Sequence, residues 1–114
     1  MNVRESKMFL IKFEKTSVSE AGTLAEDLRQ VILDAHPDTS AARRRDDSSS
    51  MDFGTMLEVM LAAPAIIAVA KGVQAWLERH HAVTLRVEKP DGTLIAENLT
   101  PKRAVELARL MQEG

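Results

Sequence analysis

Apolar and polar positions alternate over residues 7–15. Phe9, Ile11 and Phe13 share one side, and Lys12 and Glu14 the other, which predicts a strand. Met8 and Leu10 join the second side, so that side is only partly wet. Two of the three phenylalanines lie in this segment, which predicts a central strand. Ser17-Val18-Ser19-Glu20 then matches a capping box, in which Ser17 and Glu20 satisfy free backbone donors. Thr23 and Glu26 offer a second box. A helix is predicted to follow as far as Ala35, with Leu24, Leu28, Val31, Ile32 and Ala35 on one stripe. Glu26, Arg29, Gln30 and Asp34 face water. His36-Pro37 stops the helix, because the residue before proline avoids helical geometry.

Residues 38–54 are polar and carry Arg43-Arg44-Arg45, Asp46-Asp47 and Ser48-Ser49-Ser50. A plain loop of that length is unusual in a compact domain. A short edge strand near 41–46 is expected, followed by a mobile polar loop. Residues 55–79 read as one long helix. At 100° per residue, Val59, Ala62, Ile66, Val69, Val73, Trp76 and Leu77 form a broad stripe. Lys71, Gln74 and Glu78 lie opposite, but that polar line meets Met60, Pro64 and Ile67 toward the N-terminus. The first half is therefore apolar all round, and Pro64 is expected to kink or split the helix near Ala63.

The end of the chain is more regular. Val83, Leu85 and Val87 alternate with Thr84, Arg86 and Glu88 in a strand over 82–89. Pro90-Asp91-Gly92 signals a turn, and residues 93–97 return as the second strand of a hairpin. Thr100-Pro101 opens a last helix, with a threonine cap and proline at the first helical position. Ala104, Leu107, Ala108 and Met111 form its inner stripe. The fold class expected is α+β, in the order β-α-(β)-α-β-β-α. A small mixed sheet of three or four strands would carry three helices on one face, all in a single domain spanning 1–114.

Composition narrows the chemistry. The 114 residues are 45% apolar and 28% charged, with a formal net charge of −2. That is ordinary for a globular domain, and no excess of positive charge attracts nucleic acid. There is no cysteine, which excludes disulfides, thiolate catalysis and cysteine-bound zinc. The first residues lack the layout of a secretion signal, and a cytoplasmic location is expected. The uncharged stretch 59–70 is shorter than the roughly 20 residues that span a bilayer, so membrane contact is not expected.

No phosphate-binding glycine loop occurs. His80 and His81 are adjacent, too close in sequence to chelate one metal from a helix, and His36 sits at a helix end. All three are expected to be surface residues near helix C-termini. A serine nucleophile within 48–50 would need a fixed base and an oxyanion site, which a polar loop does not supply. No catalytic, cofactor-binding or metal-binding residue is therefore assigned. The triple arginine is followed at once by Asp46 and Asp47 and has no aromatic stacking partner, so no nucleic-acid site is expected there.

The apolar helix remains. Either its extra apolar side is covered by the chain itself, or an uncovered patch of Leu57, Met60, Leu61, Pro64, Ile67 and Ala68 docks a protein partner or a second copy. Methionine and leucine suit such adaptable contacts.

The run Met56-Leu57-Glu58-Val59-Met60-Leu61, then Ala65-Ile66-Ile67-Ala68-Val69-Ala70, closes on Val73-Gln74-Ala75-Trp76-Leu77-Glu78-Arg79. It leads to Val83-Thr84-Leu85-Arg86-Val87, the turn Pro90-Asp91-Gly92 and a final short helix. Over roughly 55–113 this resembles the bacterial effector-associated constant component family. The resemblance implies a small non-catalytic adaptor or regulator of a biological-conflict or antiphage-type system. Its implied partners are an effector, a peptidase or a nucleotide-hydrolysing regulator encoded nearby. It brings no catalytic residues with it, and 38–54 departs from the pattern. The function expected is thus a protein-binding component. A self-associating module and a membrane-contacting component are the alternatives.

Overall fold

The computed structural model describes residues 6–45 and 55–113. Five strands and three helices follow one another: β1 (Ser6–Glu14), α1 (Val18–Ala35), β2 (Thr39–Arg45), β3 (Thr55–Ala62), α2 (Ala65–Arg79), β4 (Thr84–Glu88), β5 (Leu94–Leu99) and α3 (Leu107–Glu113). A 3-10 turn over Arg103–Glu106 leads into α3. The strands form one sheet in the order β2-β3-β1-β4-β5, with every neighbouring pair antiparallel. The α+β class is as expected. The sheet has five strands rather than three or four and is antiparallel rather than mixed. The strand expected near 41–46 is present as β2. The mobile loop expected after it lies outside the described residues.

Residues 55–79 depart most from the sequence expectation. This segment is not one kinked helix but a strand, a two-residue turn and a helix. The run Met56-Leu57-Glu58-Val59-Met60-Leu61 satisfies a period of two as well as a period of 3.6. Leu57, Val59 and Leu61 are completely buried, and the residues between them face the other way. The helical propensity of methionine and leucine is a weak preference, and pairing on both sides overrides it. β3 lies between β2 and β1 in continuous register with each. Pro64 stands at the N-cap of α2, where its missing N–H removes no intrahelical bond.

Register assembles the core. Phe9 lies opposite Val59, Ile11 opposite both Leu57 and Val87, and Phe13 opposite Leu85. Facing partners in a sheet project to the same side, so these residues line one face. They form a single cluster with Leu28 and Ile32 of α1, Ile66, Val69, Val73, Trp76 and Leu77 of α2, and Leu107 and Met111 of α3. All three helices therefore cover this one face. α2 crosses α1 closely at Gly72, where an added Cβ would stand 3.4 Å from Val31 Cγ1 and 3.8 Å from the Ala35 Cβ.

Local chemistry sets the element ends. The Ser17 hydroxyl accepts from the Glu20 N–H at 3.1 Å, and the Glu20 carboxylate accepts from the Ser17 N–H, closing the capping box on α1. The buried stripe of α1 is Ala21, Ala25, Leu28 and Ile32, rotated slightly from the expected one. The Thr100 hydroxyl accepts from the Arg103 N–H at 3.4 Å. The Lys7 ammonium donates to the Gln112 carbonyl at 2.7 Å. That places a cation at the negative end of α3 and ties the helix to β1.

Candidate interaction surface

With every helix on one face, no second layer of described residues covers the opposite face of the sheet. Its side chains follow from the register. One row runs Arg44, Met56, Lys12, Arg86 across β2, β3, β1 and β4. The next runs Ala42, Glu58, Leu10, Glu88, Leu94 across all five strands. A third joins Ser40, Met60 and Met8. The first row is cationic and the second anionic, with apolar side chains set between the charges.

The two charged rows pair with each other. Arg44 Nε lies 2.8 Å from Glu58 Oε1, and Lys12 Nζ lies 3.2 Å from Glu88 Oε1. Arg86 bridges Glu88 at 2.6 Å and Glu97 at 3.0 Å. Lys12 and Glu88 are each only 8% exposed although no helix among the described residues covers them; they pair with each other, and Arg86 lies against Glu88. Burial pushes the Glu88 carboxyl upward, but hydrogen bonds from Arg86 and Lys12 outweigh it and hold the group below its usual range. The hydrogen bond to Glu88 is also the main reason the Arg86 guanidinium is raised. The more exposed Arg44–Glu58 pair contributes little, on the order of 0–1 kcal/mol. Next to this ladder, Met60 is 40% and Leu94 42% exposed, and Met8, Leu10 and Met56 are half-buried.

The six residues proposed from sequence as a docking patch separate. Leu57 and Leu61 are completely buried beneath the helices and are out of reach of any partner. Met60 is on the open sheet face. Pro64, Ile67 and Ala68 belong to the start of α2 in the helix layer, where Ile67 is 50% exposed. They do not share one helical stripe, because β3 and α2 are different elements. The open-face residues Met8, Leu10, Lys12, Met56, Glu58 and Glu88 were not singled out from sequence. A signal for part of them existed in the half-apolar second side of β1.

A second polar cluster joins α1 to α2. The indole N–H of Trp76 donates to Asp27 Oδ2 at 2.7 Å, and the ring meets Phe13 edge-on at 6.1 Å. The His80 ring stacks on the indole at 4.1 Å. Its Nδ1 lies 2.9 Å from the Trp76 carbonyl, and its Nε2 lies 3.7 Å from the same Asp27 oxygen. His80 thus closes the C-terminal turn of α2, as a histidine at a helix end does. Asp27 had no sequence signal, since nothing local marks it as the partner of a tryptophan 49 residues away.

Among the described residues, no group of three or more histidine, aspartate or glutamate side chains is placed to hold a metal ion. Ser48, Ser49 and Ser50 lie outside the described residues. Comparison with protein-family models, curated proteins and solved structures gave no match.

Proposed function

We propose that this chain is a non-catalytic protein-binding component that docks its partner on the open face of the sheet. The observation that supports this is the exposed and half-exposed set of Met8, Leu10, Met56, Met60 and Leu94, arranged around a self-neutralised ion-pair ladder. Such a surface interleaves adaptable apolar contacts with polar ones, as protein interfaces do. On the family resemblance, the component is a cytoplasmic adaptor or regulator of a bacterial conflict or antiphage-type system. Its partner is an effector, peptidase or nucleotide-hydrolysing regulator encoded nearby.

The test is co-purification with the product of the adjacent gene. Met60→Asp combined with Met8→Ser should abolish it while circular dichroism and the melting transition stay close to wild type. Ile67→Asp, on the helix layer, should leave it intact. Loss with Ile67→Asp alone would move the docking site to the start of α2, and retention in every variant would refute docking on either surface. Self-association is the second reading, favoured by the same half-apolar face. Light scattering that shows a monomer at all concentrations would eliminate it. Among the described residues no helix is long and apolar enough to cross a membrane.

A further inference from the structure

The outer edge of β2 presents a regular row of backbone groups. Asp38 accepts from the Ala62 N–H, which makes Asp38–Ala62 a hydrogen-bonded pair. In an antiparallel ladder such pairs alternate with non-bonded ones. The N–H and C=O groups of Thr39, Ala41, Arg43 and Arg45 therefore point away from β3. Arg29 confirms the direction from the other side, since its Nε donates to the Ala41 carbonyl at 2.9 Å. The pairing of β2 with β3 is unbroken from Thr39 to Arg45, so this edge carries no bulge. The opposite edge is not. β5 carries two register shifts against β4, and Asn98 within it has φ of 50°. Bulges of this kind spoil an edge as a template.

We propose that the β2 edge accepts an extended acidic peptide as a sixth strand. The charge pattern selects the occupant. Arg43 and Arg45 project on the helix side of the strand and Arg44 on the open side, with Arg29 reaching the edge from α1. Arg43 and Arg44 are paired with Glu26 at 3.5 Å and Glu58 at 2.8 Å, but both arginine side chains are more than half exposed. Exposed pairs of this kind exchange partners readily. Carboxylates at alternate positions of an incoming strand would meet Arg43 and Arg45. Its backbone would pair with the outward groups that no described residue pairs, and would share the Ala41 carbonyl with Arg29, a recognition mode that sheet edges support. A second copy of this chain suits the edge poorly, because it would bring the same arginines across the new strand pair. Asp46 and Asp47, next in the sequence, lie outside the described residues.

The test uses the full chain and a fluorescein-labelled heptapeptide of alternating glutamate and valine, read by anisotropy at low salt. Binding is expected, with protection of the Thr39, Ala41, Arg43 and Arg45 amides from hydrogen exchange. Arg43→Glu with Arg45→Glu should weaken it about tenfold or more. Arg43→Pro removes one outward N–H without touching the β3 ladder. It should bind about fivefold more weakly than Arg43→Ala, the loss of roughly one hydrogen bond. The wild-type protein should also reject the same peptide N-methylated at alternate residues, a control that holds if the proline variant does not fold. Equal binding of the methylated peptide, or protection that maps elsewhere, would overturn the proposal. So would concentration-dependent pairing of the free protein through β2. Met60→Asp should leave peptide binding unchanged, so failure here is separable from failure of docking on the open face.

Discussion

Replacing Leu57 by alanine should cost about three times as much stability as replacing Met60, and the comparison tests the strand assignment of β3 directly. Leu57 is 0% exposed and lies between Ile11 and Arg43 in the register. Its truncation removes three carbon groups, about 2.4 kcal/mol at ~0.8 kcal/mol each. A partly collapsed cavity raises the total to about 3 kcal/mol. Met60 keeps 40% of its surface in water and faces solvent, so its truncation forfeits roughly 1 kcal/mol and leaves no closed cavity. In a helix, positions 57 and 60 would share a face and cost nearly the same. The assay is urea unfolding followed by circular dichroism. With a slope of about 1.5 kcal/mol per molar, the midpoint should fall by about 2 M for Leu57→Ala and by less than about 1 M for Met60→Ala. Costs within about 0.5 kcal/mol of each other would refute the strand and the open face built on it.

Three further outcomes follow from other contacts. Glu88 titrates below its usual range because Arg86 and Lys12 hold its charge. Its stabilisation is therefore fully present above the ordinary carboxylate range and is lost as pH falls through the lower folded value. Glu88→Gln should cost about 2 kcal/mol at neutral pH, and the gap from wild type should close in urea melts as the pH falls below the usual carboxylate range; a constant gap would contradict the ladder. Asp27→Ala leaves the Trp76 indole N–H without its acceptor. Since Asp27 is half exposed, the cost should be about 1 kcal/mol, accompanied by altered emission of the single tryptophan; unchanged emission would refute the contact. Gly72→Ala fits the 3.4 Å approach to Val31 and should raise stability by up to about 1 kcal/mol in thermal melts. Gly72→Leu should lower it by about 1–3 kcal/mol by forcing α1 from α2, and a neutral leucine would show that the helices cross elsewhere.

Where elements are set by chemistry a few residues wide, the amino-acid sequence by itself determined them. Ser17 and Glu20 start α1, Pro37 follows its end, Pro90-Asp91-Gly92 turns the last hairpin, and the Thr100 hydroxyl accepts from the Arg103 N–H just before the final helical segment. The alternation of Phe9, Ile11 and Phe13 likewise marked a strand and its buried side. The tertiary structure alone decided the nature of 55–62. Leu57, Val59 and Leu61 fit both periods, and only pairing with β1 and β2 on either side selects the extended form. That choice carried the candidate surface with it. It sent Leu57 and Leu61 inward and Met60 outward, and it set Glu58 against Arg44. Lys12–Glu88 and Trp76–Asp27 were invisible for the same reason: their partners are far apart in the chain, and only register and helix packing bring them together.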